Sequence, residues 1–307
     1  DYLVLTENHR GIYKIRIIIW GSSEEYYIPF EEETYDAYPG FNLDFNTKSL
    51  RYTYVSLTIP YSIYEYNMEK KEQKLLKRWE VLGGYDPAQY RSERLWASAE
   101  DGSKIPISIV YKKGLEKNGK NPVLLEGYGA YGFSSSPNFS SIRLNFLERG
   151  FIYAIAHVRG GSDLGRQWYK DGKLLKKKNT FTDFIACAEY LIKENYTSKK
   201  HLVAKGGSAG GLLVGAVVNM RPDLFKAVIL NVPFVDVINT MLDSTMPLTT
   251  QEYEEWGNPN EKDYFDYMLS YSPYENVKAQ DYPNMLFLSG MTDEQVSYWE
   301  PAKMTAK

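Results

Sequence analysis

The segment Gly206-Gly207-Ser208-Ala209-Gly210 has the residue types and spacing of a nucleophilic serine site. It fits the pattern G-x-S-x-G, follows an apolar run at 202–204 and leads into small and apolar residues at 212–219. A strand, a sharp turn and a helix in this order would hold the serine in a strained conformation that exposes its hydroxyl. The Ala209 N–H, at the helix N-terminus, would face an oxyanion forming beside Ser208. The sequence predicts acyl-transfer chemistry here, and a Gly-rich loop that only packs is the alternative.

The overall composition narrows the class of protein. A net charge of -3 offers no basic surface for nucleic acid, and no apolar stretch approaches the ~20 residues of a membrane span. The single cysteine, Cys187, excludes an intrachain disulfide and favours a reducing, cytoplasmic location. The basic run Lys176-Lys177-Lys178 precedes a helical pattern and is expected to be solvated. No cofactor or metal site is indicated, and the oligomeric state is left open.

The chain changes character near residue 83. Residues 1–82 contain only short strand patterns separated by turn or charged residues, which is typical of a fragment of an all-β architecture such as a propeller. Residue 1 is not Met, and residues 296–307 read as a helix without a stop signal. Both ends are therefore expected to be truncated.

After Gly83-Gly84, strands and helices alternate. A hairpin is predicted around Asp101-Gly102, and the pattern beyond it predicts a doubly wound, mostly parallel sheet with an antiparallel edge. The predicted strands are 94–99, 105–111, 123–126, 151–157, 202–205, 227–230 and 285–289, and the predicted helices are 180–195, 212–219 and 296–307.

Eight segments resemble motifs of the prolyl oligopeptidase family of serine peptidases. Four match the family as a whole: GYGAYG at 127–132, HVRGG at 157–161, KKNTF at 177–181 and GGSAGG at 206–211. Four are similar to its oligopeptidase B branch: VPFVD at 232–236, PLTT at 247–250, EEWGNP at 254–259 and YWEP at 298–301. The resemblance covers nearly all of residues 50–307. It implies an α/β-hydrolase domain over 83–307, preceded by the last blades of a β-propeller over 1–82.

The resemblance also implies a catalytic set. The fold orders its triad as serine, acid and histidine, so Ser208 is the expected nucleophile and Asp293, after a late strand, the expected acid. Asp293 would orient the imidazole of the base, although a turn or helix-cap residue is its alternative interpretation. Tyr128 matches the family's oxyanion-hole tyrosine, which acts beside the Ala209 N–H.

The expected base is missing from these residues. In the family the histidine lies C-terminal to the acid, and this chain has only three histidines, all earlier. His9 falls in the propeller-like region, His157 is expected to pack in the core or behind the site, and His201 to lie in a surface turn. The 307-residue chain alone is therefore expected to hydrolyse peptides very poorly.

Two acids are expected to select the substrate. In an extended segment, Glu252 and Glu254 would point the same way, and a guanidinium between them would relieve their repulsion. The matching acids of oligopeptidase B receive Arg or Lys before the cleaved bond, whereas a solvated acidic loop is the alternative. The acids that favour a second basic residue in bacterial relatives are replaced by Ser136 and Asn138, so that preference should be weak. Gln295 stands where prolyl oligopeptidase has an arginine that contacts a substrate carbonyl.

Taken together, the sequence predicts a serine endopeptidase that cleaves short peptides after Arg or Lys through an acyl-enzyme. Two other classes stay open: an α/β-hydrolase esterase or acyl transferase, and an inactive binding fragment.

Overall fold

The computed structural model describes all of residues 1–307 and contains two compact units. Unit 1 comprises residues 1–95, 108–115 and 136–150, and unit 2 comprises residues 96–107, 116–135 and 151–307. Each unit is described by itself. The predicted boundary between residues 82 and 83 stays a prediction.

Unit 1 is built on two antiparallel sheets. The first has the order β1-β2-β3 and the second the order β4-β5-β6-β7. Residues from both sheets, including Ile15, Ile17 and Tyr52, form one buried cluster. Alternating aromatic and β-branched residues favour such half-buried strands. The strands are β1 Tyr2–His9, β2 Ile12–Ile19, β3 Glu25–Tyr27, β4 Tyr35–Pro39, β5 Ser49–Ser56, β6 Ser62–Asn67 and β7 Glu72–Arg78.

A seven-stranded sheet has the order β14-β13-β12-β10-β11-β9-β8. Strands β10 to β14 pair in parallel, and the hairpin strands β8 and β9 form one edge. The predicted mostly parallel sheet is thus confirmed. The strands are β8 Tyr90–Ser98, β9 Lys104–Lys112, β10 Val123–Glu126, β11 Ile152–Ala156, β12 Leu202–Gly207, β13 Ala227–Asn231 and β14 Asn284–Leu288.

Eight helices accompany the sheets. Helix α4 follows β12 and is buried over nearly its whole length, in keeping with its run of small and apolar residues. Helix α3 buries one face, which includes Phe181, Phe184 and Leu191. No helix in the structure combines the length and the apolar character that a membrane span needs. The helices are α1 Ser141–Leu147, α2 Arg166–Lys170, α3 Lys178–Lys193, α4 Ala209–Met220, α5 Val237–Leu242, α6 Thr249–Trp256, α7 Lys262–Leu269 and α8 Trp299–Ala306.

Two local expectations are wrong. The acidic segment around Glu252 is not extended, because residues 249–256 form helix α6. The basic run before α3 is not fully solvated, because Lys177 is only 1% exposed. The burial of Lys177 depends on the distant Gly129 carbonyl, of which the local pattern carries no sign.

Candidate active site

Ser208 occupies the strained turn between β12 and α4. Its backbone has φ 55° and ψ -120°, in the left-handed range that non-glycine residues rarely adopt. The turn leaves no room for a side chain at Gly206, where an added Cβ would lie 1.9 Å from the Gly210 carbonyl oxygen. The Ser208 N–H donates to the carbonyl oxygen of Asn231, at the end of β13, over 3.0 Å. The glycines and this strand-end contact together hold the serine at the carboxyl edge of the sheet.

A cavity of about 250 Å³ opens beside Ser208. Its walls combine aromatic rings with a carboxylate and the backbone at the start of α4, which is the lining expected for an amphipathic ligand. The lining residues are Tyr128, Tyr131, Ser208, Ala209, Phe234, Thr240, Met241, Pro247, Leu248, Thr249, Glu252, Trp256, Gln295 and Val296.

Tyr128 lies just beyond the end of β10 and lines the same cavity as Ser208. Burial raises the pKa of the Tyr128 phenol, and the nearby carboxylates of Glu252 and Glu255 raise it further. The phenol therefore stays protonated at neutral pH, and its O–H can donate a hydrogen bond to an oxyanion. Ala209 is the first residue of α4, so its N–H has no acceptor within the helix and is a second donor at the same cavity.

Asp293 lies beyond β14 on the same carboxyl edge of the parallel strands as Ser208 and Tyr128. Its Oδ1 accepts backbone N–H groups of Gln295 and Val296, both at 2.9 Å, in a local turn. Gln295 and Val296 line the cavity, and Asp293 is not among the lining residues. The partly exposed Asp293 carboxylate thus has a local structural role, and its assignment as the triad acid stays a prediction.

Glu252 points into the cavity from α6. Its Oε2 accepts hydrogen bonds from the Tyr131 hydroxyl and the Trp256 indole N–H, both at 2.8 Å. Glu254 is exposed and does not line the cavity. Residues two apart on a helix are about 200° apart around its axis, so the two carboxylates diverge. The same-side geometry inferred from an extended segment is therefore wrong, and only Glu252 faces the cavity.

Two neighbours of Glu252 were not singled out from the sequence. Glu255 is 4% exposed, and Trp256 is 1% exposed and lines the cavity. Trp256 stands four residues after Glu252, the spacing that places two side chains on one face of a helix. A helical interpretation of 249–256 would have shown this pairing.

The three histidines are distant from the serine or already paired. His201 precedes β12, so the six-residue strand separates it from Ser208 by roughly 20 Å. His157 follows β11, is 2% exposed, and its Nδ1 lies 2.8 Å from Asp163 Oδ1. Since β10 lies between β11 and β12, about 10 Å separates the ends of those strands. His9 belongs to β1 in unit 1. No group of three or more His, Cys, Asp or Glu residues is placed to hold a metal ion.

Comparison with known proteins shows which protein family the chain resembles. Residues 137–307 match the profile of the prolyl oligopeptidase family, and residues 1–78 match that of its N-terminal β-propeller domain. The chain is 49% identical to dipeptidyl aminopeptidase BI of Pseudoxanthomonas mexicana and 45% identical to protease 2 of Moraxella lacunata. Both matches cover 100% of the chain, but 42% and 44% of the relatives.

Among solved structures, oligopeptidase B from Leishmania major superimposes with a TM-score of 0.90 at 45% identity. That match covers 100% of the chain and 44% of the solved chain. The chain thus spans less than half the length of the relatives it matches. The family profile, the two relatives and the superposition all point to the same family. The chain belongs to the prolyl oligopeptidase family, close to oligopeptidase B.

Proposed function

We propose that the protein is a serine peptidase in which Ser208 is the nucleophile. The observation that carries the proposal is the strained Ser208 turn, which opens to a cavity that Tyr128 and Glu252 also line. Family membership supports peptide substrates in particular. Residues 1–82 are proposed to be propeller blades and residues 83–307 to belong to the catalytic domain.

The proposed reaction runs through an acyl-enzyme. The Ser208 Oγ attacks the carbonyl carbon of the scissile amide while a general base takes its proton. The resulting oxyanion accepts hydrogen bonds from the Ala209 N–H and the Tyr128 hydroxyl. The C–N bond then breaks as the protonated base donates to the leaving amine. Water, deprotonated by the same base, attacks the ester and releases the acid and free Ser208.

We assign the general base to a histidine outside these 307 residues. Support comes from the positions of the three histidines present. His201 lies at the amino end of β12, whereas Ser208 follows its carboxyl end; His157 is paired with Asp163, and His9 belongs to unit 1. Asp293 is proposed to orient that histidine, since it follows a strand on the carboxyl edge that also carries Ser208.

The cavity favours cleavage after Arg or Lys. A guanidinium or ammonium group there would meet the Glu252 carboxylate and the aromatic faces of Tyr131 and Trp256. Hydrogen bonds to a charged partner contribute about 1.5–3 kcal/mol, and a ring face adds a smaller attraction for a cation. Glu254, exposed on α6, is proposed to add at most a weak, solvent-screened contribution.

A fluorophosphonate probe tests the nucleophile directly. The probe should form a covalent adduct at Ser208, located by peptide mass spectrometry, because it phosphonylates activated serines. Ser208→Ala should abolish the adduct, whereas Ser270→Ala, which changes an exposed serine on the same unit, should leave it. An adduct that persists in Ser208→Ala would refute the assignment. Absence of an adduct in a folded, full-length protein would favour a binding role.

A second candidate is the removal of dipeptides from a free amino terminus, and the 49% identity to dipeptidyl aminopeptidase BI favours it. Arginyl substrates with blocked and free amino termini distinguish the two. An endopeptidase cleaves both, whereas a dipeptidyl aminopeptidase needs the free amine two residues before the cleaved bond. Hydrolysis of a short acyl ester without cleavage of any arginyl peptide would instead favour an esterase.

A further inference from the structure

Unit 2 buries a lysine and a glutamate behind the candidate site. Lys177 is 1% exposed and Glu255 is 4% exposed, and the Glu255 carboxylate acts electrostatically on the Lys177 ammonium. Burying a charged group is unfavourable unless hydrogen bonds and an opposite charge compensate it. The contacts of both residues converge on the segment that carries Tyr128, here named the tyrosine loop (residues 127–132).

Lys177 holds one side of the tyrosine loop. Its Nζ donates to the carbonyl oxygen of Gly129 at 2.5 Å and to that of Gly172 at 3.2 Å. The ammonium also lies 4.9 Å from the centroid of the Trp256 ring, a cation–π distance. Lys177 thereby connects the residue after Tyr128 to the indole that donates to Glu252.

Glu255 holds the other side of the loop. Its Oε1 accepts the backbone N–H of Tyr131 at 3.0 Å, and its Oε2 accepts the Tyr169 hydroxyl at 2.7 Å. The Tyr131 side chain in turn donates to Glu252. Residues on both sides of Ala130 are thus fixed by buried charged groups.

The tyrosine loop requires a glycine at residue 129 and has an unfavourable backbone conformation at Tyr131. Gly129 has φ +71°, and a Cβ there would lie 2.3 Å from the Thr180 Cγ2. Tyr131 has φ 57°, which a non-glycine residue adopts only at an energetic cost. The loop therefore keeps its shape only while its contacts with the surrounding residues persist.

Burial lowers the pKa of Lys177 to about 8, with the Glu255 carboxylate opposing the change. The Glu255 carboxylate favours the charged form of Lys177 against this desolvation penalty, and the carbonyl oxygens of Gly129 and Gly172 accept hydrogen bonds from the ammonium. If the Lys177 side chain turned towards solvent, it would avoid the desolvation penalty. The Gly129 carbonyl oxygen would then lose its charged hydrogen-bond donor.

We propose that Lys177 and Glu255 are positioning residues. They hold Tyr128, the oxyanion donor, and Glu252, the acid that selects the substrate, in the correct positions relative to Ser208. The inference rests on the proposed function, because it concerns the same reaction. Neither residue touches the substrate. Each acts through the tyrosine loop and through the side chains that donate to Glu252.

The test compares an arginyl ester with the thionoester in which sulfur replaces the carbonyl oxygen. Sulfur accepts hydrogen bonds poorly, so the ratio of kcat/KM for the two substrates reports how well the oxyanion donors are placed. The variants Lys177→Met and Glu255→Gln in the full-length protein should lower this ratio by about tenfold, towards the value of Tyr128→Phe. They should also reduce the preference for arginyl over phenylalanyl substrates.

Lys176→Met is the matched control, since it makes the same change one residue earlier at an exposed lysine paired with Asp171. It should leave both ratios unchanged. Active sites are titrated with the fluorophosphonate, so that a variant that folds incompletely loses active molecules without changing either ratio. Glu255→Gln keeps the shape of the side chain if Lys177→Met fails to fold.

The outcomes separate the two proposals. Suppose that Tyr128→Phe lowers the ratio of kcat/KM for the ester over the thionoester, but that neither Lys177→Met nor Glu255→Gln does. Lys177 and Glu255 then have no positioning role, and the inference is overturned. If the wild-type protein cleaves no arginyl ester, or Tyr128→Phe leaves the ratio unchanged, the proposed function itself fails and the inference with it.

Discussion

At the scale of single residues, the proposed peptidase chemistry depends on two residues, Ser208 with a strained backbone and Tyr128 with a partly buried phenol. Ser208 has a left-handed backbone, and the phenol of Tyr128 is partly buried with a raised pKa. The strained turn presents the proposed nucleophile Ser208 to the cavity, while the raised pKa keeps Tyr128 protonated and able to donate a hydrogen bond.

The first prediction concerns the phenol of Tyr128. Tyr128→Phe removes one of the two proposed oxyanion donors and keeps the ring packed against Phe133, 5.3 Å away between centroids. We expect kcat to fall by about 10²–10³ with little change in KM, because the bond forms fully only in the transition state. Steady-state kinetics on an arginyl substrate measure this. A rise in KM at constant kcat would instead make Tyr128 a substrate-binding residue.

Single residues also show what the sequence could and could not predict. The Ser208 turn is predictable because its glycines and its flanking strand and helix are local. The direction of Glu254 was predicted wrongly, because a short acidic segment has no clear periodicity and α6 is fixed by the burial of Trp256. The burial of Lys177 depends on carbonyls of Gly129 and Gly172, which no local pattern reveals.

At the scale of elements, a buried ion pair connects β11 to α3. The Asp183 carboxylate, fully buried, accepts the Arg159 Nε at 2.9 Å and its Nη2 at 2.6 Å, together with the Arg159 backbone N–H at 2.9 Å. This bidentate pair lies next to the turn after β11, which contacts the tyrosine loop through Gly160 and Gly132.

The second prediction therefore concerns stability. Asp183→Ala should lower the free energy of unfolding by roughly 3–5 kcal/mol, because Arg159 is left buried without its main partner. Glu189→Ala is the control on the same helix, since it removes an exposed partner of Arg221 and should change stability by less than about 1 kcal/mol. Urea unfolding measures both variants. Equal losses would show that the Asp183 pair contributes no more than a surface pair.

A third prediction follows from Glu300, which anchors α5 from α8. Its carboxylate accepts the backbone N–H groups of Val235 and Asp236 and the hydroxyl of Thr240. Burial raises the pKa of Glu300 from 4.5 to about 7. Between these two pH values the folded protein binds a proton that the unfolded chain has released, so stability should fall as pH rises through this window.

The expected loss is roughly 2–4 kcal/mol between pH 4.5 and 7. Glu300→Gln keeps similar hydrogen bonds without the charge, so this part of the pH dependence should disappear. Chemical unfolding of wild type and variant at several pH values measures the difference. Parallel curves for the two proteins would show that Glu300 does not titrate in this range.

The parallel strands were predictable because they are continuous apolar runs between turn residues. Five helices were not predicted: α1, α2, α5, α6 and α7. Each has only five to eight residues, too few for a clear 3.6-residue period, and short helices depend on tertiary contacts for their stability. Two of them, α5 and α6, form walls of the cavity. The strand framework was therefore predictable, but the shape of the pocket was not.

At the scale of the whole molecule, the chain combines two antiparallel, propeller-like sheets with a seven-stranded sheet whose parallel strands, β10 to β14, belong to unit 2. The order of its motifs identified the family from sequence, because the resemblance extends over most of the chain. The carboxyl ends of the parallel strands carry the proposed nucleophile and the proposed oxyanion and acid residues. This arrangement is the usual position of a site in such a sheet.

The most direct test of the account is the ratio of kcat/KM for arginyl and phenylalanyl peptides of the same length, measured on full-length wild type and Glu252→Gln. Wild type should prefer the arginyl peptide. Glu252→Gln should reduce kcat/KM for the arginyl peptide by roughly 10–100-fold, because one charge-assisted hydrogen bond is lost. It should largely spare kcat/KM for the phenylalanyl peptide. A second basic residue further upstream should bring no strong gain, given Ser136 and Asn138. Equal losses on both peptides, or no preference in wild type, would contradict the assignment of Glu252 as the residue that selects a basic side chain.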